Sequence, residues 1–301
     1  MQLWIWITLL AATSQNIRTA IQSHMKDSLG DYGAAAIRFI YAIPFAWIWF
    51  LCVIRFSDQS FPSLNFEFAF WLAVGGLAQI IFTVLLVKLF SFKNFVVGVA
   101  FSKTEVLLAA LMEAIFLSVA ISLQFGFAIL IGTVAVIMLS LSGNLLSLSD
   151  VKASLRSRST VIGLLAGFTL SISVVAFRAA INSLDDGDSL LRASTAGAIG
   201  VVGQAIVMLI YLAVKRKSEL HAVFRLWKFG IAAGFFAAIS TAAWFIAFAL
   251  HTAAPVRAIG QFELLISIGI TLFIFRQKIS KVELVGIFLL TVSILLVILN
   301  S

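Results

Sequence analysis

Charge is what this chain has least of. Of its 301 residues, 11% are charged and 62% hydrophobic, against about 25% and about 45–50% in soluble domains. Mean hydropathy is +1.11. A soluble domain has too little interior to hide that much apolar surface, so lipid must be the solvent for most of the chain. Cysteine is nearly missing too. The single one, Cys52, excludes an intrachain disulfide and a cysteine-based metal cluster. The three histidines, His24, His221 and His251, lack ligand spacing and read as interfacial or packing residues, so neither metal nor cofactor is expected. Acids are outnumbered, with 13 Asp+Glu against 21 Lys+Arg and a net charge of +8. In a soluble chain that excess would point to nucleic acid. Here most of it lies in short segments between apolar runs, where it carries topology information, and no nucleic-acid partner is expected. The opening "MQLWIWITLLAATSQ" lacks the basic start of a cleaved signal, and a later segment matches it, so it is expected to belong to the fold.

What is present is length. A helix crossing about 30 Å of hydrocarbon needs about 20 residues at about 1.5 Å each. On that ruler, spans fall near 3–21, 34–54, 67–87, 96–117, 124–142, 160–181, 190–214, 228–250, 254–275 and 282–299. None shows the period-two alternation of a lipid-facing barrel. The expected fold class is all-α, a polytopic membrane protein of about ten transmembrane helices, in contact with the lipid bilayer. Short connections leave no room for a soluble domain.

The longest polar stretch inside the bundle, "SGNLLSLSDVKASLRSRS" at 142–159, falls at the midpoint. The halves on either side resemble each other. "NIRTAIQS" at 16–23 returns as "AFRAAINS" at 176–183, an offset of 160 that pairs Arg18 with Arg178. An offset of 158 pairs Gly76 with Gly234, Thr83 with Thr241, Glu105 with Glu263 and Ile121-Ser122 with Ile279-Ser280. Charged matches are rare inside membranes and weigh most. The expected organisation is a five-helix repeat at 1–142, a linker at 143–159 and a second five-helix repeat at 160–301. An odd number of helices per repeat inserts the second half upside down, a recurrent construction of secondary transporters.

Fourteen of the basic residues lie in the alternate loops after the first, third, fifth, seventh and ninth spans. The opposite side holds only Arg55 and Arg192, while Arg18, Arg38, Lys103, Arg178 and Arg257 lie within or at the edge of spans. The positive-inside rule then predicts both termini outside the cell.

Three stretches carry a family likeness. "AAAIRFIYAIPF" resembles the Arg-Phe signature of the EamA-like transporters of the drug/metabolite transporter superfamily. "SKTEVLLAALMEAIFLSVAIS" (102–122) and "GQFELLISIGITLFIFRQKISKVELVGIFLLTVSILLVI" (260–298) resemble its fourth-to-fifth and ninth-to-tenth helix segments. The likeness covers nearly the whole chain. It implies ten helices as two inverted repeats, and export or exchange of small polar metabolites, often amino acids.

A charge inside a span costs a few kcal/mol and is a functional candidate by default. Glu105 and Glu263 lead, each about ten residues into its helix and so near mid-depth. Either is a proton- or ammonium-binding carboxylate, or a structural ion pair. A carboxylate without a partner in such surroundings readily takes a proton, as a proton-coupled carrier requires. Lys103 and Arg257 lie nearer helix starts, where snorkelling also accounts for them. Gln15, Asn16, Gln79 and Gln261 either hydrogen-bond a polar substrate or hold helices together. Trp244, in mid-span, lines a cavity or packs. Arg18 lies about 8 Å short of the far end of its span, within snorkelling reach; with Arg178 it is also a candidate gate partner for Glu105 or Glu263. The pairs Gly163/Gly167 and Gly230/Gly234 have the spacing that lets helices approach closely.

The residues support two readings of function. One is a secondary transporter, monomeric or homodimeric, in the inner cell membrane, moving a small-molecule substrate by alternating access and not acting as an enzyme. The other is a membrane-embedded enzyme such as a prenyl or lipid transferase, for which "DDGD" at 185–188 offers clustered acids for a metal-bound pyrophosphate. A channel is disfavoured by the lack of a charge ring or filter-like loop.

Overall fold

A computed structural model describes residues 3–57, 59–105, 107–108, 123–140, 156–250, 256, 259–260 and 262–299, and among these no strand occurs. The helices are α1 (Leu3–Ile40), α2 (Ile43–Ser57), α3 (Phe66–Leu89), α4 (Phe95–Ser102), α5 (Leu123–Ser140), α6 (Arg158–Asn182), α7 (Ser189–Lys215), α8 (Lys217–Arg225), α9 (Trp227–Leu250), α10 (Phe262–Gly269) and α11 (Lys281–Leu299). A π-helical turn, Ile270–Ile274, continues α10. This is a helical membrane protein. Five stretches are long and apolar enough to cross a bilayer: Leu3–Ser57, Phe66–Leu89, Arg158–Asn182, Ser189–Lys215 and Trp227–Ala247.

The first of these, 55 residues long, would extend about 80 Å if straight, more than twice the hydrocarbon thickness. It reverses instead at Gly30, whose φ of 71° and ψ of 172° lie outside the helical region. Gln22 Nε2 donates to the Ala34 carbonyl at 2.8 Å, so the two limbs of α1 lie side by side. A side chain at position 30 would be strained by the backbone and would meet Glu219 Cδ at 2.5 Å. Glu219 belongs to α8 and caps the second limb, its Oε2 accepting from Tyr32 N at 3.1 Å and Gly33 N at 2.7 Å.

Other helix starts are set by the residues just before them. Asn65, Asn94, Ser157 and Asp188 accept from the backbone N–H three residues on, at 2.7, 3.0, 3.3 and 2.8 Å, which satisfies donors that have no partner within the helix. Asp188 belongs to the "DDGD" loop. Its neighbour Asp186 accepts from Ser63 N at 3.1 Å and Ser63 Oγ at 2.5 Å, while Gln59 Oε1 accepts from Asp188 N at 2.9 Å. The acidic loop is therefore tied to the 59–65 connection at one end of the bundle. At the other end Asn94 Nδ2 donates to the Lys278 carbonyl at 3.3 Å and to Glu283 at 3.2 Å, and Arg158 lies over the Phe92 ring at 5.8 Å. The connections that carry Lys93, Arg158 and Lys278 thus meet at the end opposite the 185–188 loop.

Helices from the first half of the chain pack mainly on helices from the second: α1 on α9, α3 on α6, α2 on α7, α4 on α6 and α10, and α5 on α11. Glycine makes the closest of these approaches possible. A Cβ at Gly163 would meet the Phe101 ring at 2.6 Å, one at Gly167 would collide with Thr104 Oγ1, and one at Gly234 would collide with the Tyr41 carbonyl. The paired-glycine spacing predicted such contacts, and the helices use it. One apolar core joins α4, α5, α10 and α11 through Phe95, Phe101, Leu139, Leu264 and Leu290. A second joins α1 to α7 and α8 through Met25, Leu29, Phe39, Met208 and Val223.

The sequence-based bounds shift in three places. Helix runs on to the Gly30 reversal rather than ending near 21, because Glu219 receives the chain there. The 215–228 connection contains a nine-residue helix, α8. The expected fourth span is helical as α4 only to Ser102 and turns at Lys103. Residues 109–122, most of the 143–159 linker, Arg257 and Gln261 lie outside the described residues.

Candidate functional site

The buried charges converge on Glu263, in the first turn of α10 and 2% exposed. Gln15, on the first limb of α1, donates Nε2 to both carboxylate oxygens at 2.9 Å. Lys103 Nζ forms an ion pair with Oε2. Asn16 Nδ2 donates to the Glu263 carbonyl at 2.9 Å, and Ser267 Oγ donates to that carbonyl at 2.8 Å or to Asn16 Oδ1 at 2.6 Å. Trp244 Nε1 of α9 donates to Gln15 Oε1 at 3.2 Å, which fixes which end of the Gln15 amide faces the carboxylate. The carboxylate, from the second half of the chain, is thus held by Gln15 and Lys103, both from the first.

Local backbone breaks put these groups there. Lys103 follows the end of α4, where its own N–H turns back onto the Ala100 carbonyl at 3.0 Å. The π-helical turn below α10 carries Thr271, whose Oγ1 accepts from Val96 N at 3.0 Å. Gln277 Oε1 accepts from Phe95 N at 3.0 Å. The start of α4 is therefore capped by the end of α10, and the two interrupted helices hold each other. Such π turns and broken helices recur at binding sites within membranes.

A second polar group lies one turn further along α1. Arg18 is 5% exposed and donates Nη2 to Thr19 Oγ1 at 3.2 Å. Arg38, on the second limb, is 7% exposed and donates Nη1 to Thr83 Oγ1 of α3 at 3.3 Å. The Nε atoms of both are buried without a hydrogen-bond partner. The two guanidiniums repel each other, and Glu263 attracts Arg18 through space. Beside them Gln204 Nε2 of α7 donates to Gln79 Oε1 at 2.7 Å.

Seven of the residues singled out from the sequence, Gln15, Asn16, Arg18, Gln79, Lys103, Trp244 and Glu263, lie within this polar interior or on its edge. Glu105 is half-buried on the α4 side and takes part in interactions of its own. Arg178 is exposed near the end of α6, whereas Arg18 is buried, so the matched arginines occupy unlike surroundings. Sequence reasoning did not include Arg38, Thr83, Gln204 or Ser267 in the site. Arg38 had a signal, a full charge inside an apolar run. Thr83 stood out only as a repeat match to Thr241, and Gln204 and Ser267 had no pattern to mark them. No group of three or more His, Cys, Asp or Glu side chains able to hold a metal occurs among the described residues.

Neither a family model nor a curated protein matches the chain. Among solved structures it is similar to one described as "Crystal structure of protein", with a TM-score of 0.58 and 14% identity over 98% of this chain and 99% of that one. That likeness is one of fold.

Proposed function

We propose that the chain is a secondary transporter related to the EamA-like family, built as two inverted repeats totalling about ten transmembrane helices, and moving a small polar metabolite across the inner cell membrane by alternating access. One observation carries the reading: an ionised pair at the meeting of the two halves, Lys103 from the first and Glu263 from the second, enclosed with Gln15 between interrupted helices. Charge in that position is costly and is retained in membranes mainly for ligand or ion pathways.

The packing supports the duplicated construction. Exchanging each first-half helix for its sequence counterpart turns the α1–α9 contact into the α6–α3 contact, and returns α2–α7, α4–α10 and α5–α11 to themselves. The gathering of basic connections at one end supports termini outside the cell. The acids of the 185–188 loop act as caps and tethers, which favours transport over transferase chemistry. The test is flux in proteoliposomes: Glu263→Gln is expected to abolish it at unchanged protein insertion, and unimpaired flux at every pH would overturn the role of this carboxylate.

A further inference from the structure

The guanidiniums of Arg18 and Arg38 have more donors than the described residues satisfy. Each carries five N–H groups and no acceptor, and among the described residues each makes one hydrogen bond, to a threonine hydroxyl. Those hydroxyls are committed elsewhere as donors, Thr19 Oγ1 to the Gln15 carbonyl and Thr83 Oγ1 to the Gln79 carbonyl, both at 2.8 Å. Each hydroxyl meets a single Nη atom, and the buried Nε atoms are left without partners. The nearby carboxylate, Glu263, is already engaged by Lys103 and by Gln15. Among the described residues of this polar interior, Arg18, Arg38 and Lys103 therefore share one buried carboxylate, and the excess remains positive even when half-buried Glu105 is set against them.

An uncompensated charge in a low-dielectric interior is strongly unfavourable. A planar guanidinium with its Nε edge unpartnered offers the parallel donors that bidentate binding of carboxylate or phosphate uses, and here two such buried groups lie near enough to repel each other; lysine-type point charges do not supply that fork. A substrate ammonium would meet two repelling arginines and a glutamate that is already paired.

We infer that Arg18 and Arg38 bind the anionic group of the substrate, so the transported metabolite carries a net negative charge on a carboxylate or a phosphate. This names the substrate class of the proposed transporter and rests on that reading.

The test uses the whole purified protein in detergent, its melting followed by intrinsic fluorescence at constant ionic strength. The probes are succinate, glycerol 3-phosphate, lysine and glucose. At least one of the first two is expected to raise Tm saturably, and lysine and glucose to leave it unchanged. A response to succinate alone marks a carboxylate site, and to glycerol 3-phosphate alone a phosphate site. Arg38→Gln is expected to weaken the response about tenfold or more, with Arg38→Lys in between because it keeps the charge and loses the fork. Arg38→Gln relieves a buried repulsion, so the unliganded variant is expected to melt no lower than the parent. The inference is overturned if neither anion shifts Tm, if Arg38→Gln responds like the parent, or if lysine binds instead. Counterflow in proteoliposomes separates the two claims. Lysine or glucose flux without anion binding sinks this inference alone, whereas anion binding without any flux sinks the transport reading alone.

Discussion

Lys103 and Glu263 lie 160 residues apart and meet as an ion pair with side chains 11% and 3% exposed. Breaking such a pair from one side strands a charge, which costs about 3–5 kcal/mol, whereas removing both partners can be nearly neutral. Lys103→Met is therefore expected to lower thermal stability sharply, and Lys103→Met/Glu263→Gln to recover most of it. A double-mutant cycle by thermal unfolding in detergent measures the coupling, and additive losses would show that the pair is not energetically joined.

Gly30 and Glu219 form the corner of the α1 hairpin. Gly30→Ala places a side chain at φ 71° and against the Glu219 carboxylate, at a cost of about 1–3 kcal/mol from the backbone alone. Glu219→Ala loses the cap on Tyr32 and Gly33, worth about 1 kcal/mol. Combined, the two are expected to cost less than their sum, because the smaller residue at 219 removes the collision. Melting temperatures of the three variants check this.

Close approach by glycine is testable by contrast. Gly234→Ala drives a methyl group into the Tyr41 carbonyl, while a Cβ at Gly203 meets nothing within 4 Å. The first substitution is expected to destabilise the α1–α9 contact. The second is expected to be neutral or to stabilise by up to about 1 kcal/mol through helix propensity. Equal effects would remove the packing explanation.

Asp186 lies outside the spans, where hydrogen bonds from the Ser63 hydroxyl and backbone hold its carboxyl below the usual range. A depressed folded-state pKa gives stability that is present above the unfolded value, near about 3.9, and lost as pH falls through the folded one. The group is fully exposed, so the effect is small and local. Amide exchange in residues 59–65 is expected to be slower in the parent than in Asp186→Asn at neutral pH, with the difference closing below about pH 4. A difference independent of pH would show that charge is not what ties the loop.

The helical class was legible in the sequence because apolar runs in lipid have one economical backbone solution, the internally bonded helix. Boundaries at polar corners were less so. "QSHMKDSLG" reads as a connection, yet it is helical because Glu219, nearly two hundred residues on, caps the second limb of α1 just beyond it. The amphipathic α8 hid for the opposite reason: nine residues that include Lys217, Glu219 and Arg225 look like any charged loop until Val223 is seen buried against α1. In the site, composition flagged Glu263, Lys103 and Gln15 singly, since polar groups in a span stand out. Their meeting depends on how α4 and α10 break and cap one another, and no local pattern encodes that. Arg18 and Arg178 show the limit of repeat matching. Nearly the same phrase surrounds both, but Arg18 is buried near Arg38 while Arg178 is exposed near the end of α6.

The bond from the Trp244 indole to Gln15 links an emitting group to the carboxylate through a single amide. Gly260 packs against the same ring, where an ideal Cβ would come within 2.6 Å, so the indole has little freedom to move on its own. Any rearrangement of Glu263 must pull Gln15 and change the polarity that the ring senses. With the other six tryptophans replaced by phenylalanine, the chain would carry its own optical gauge of site occupancy, needing no attached dye.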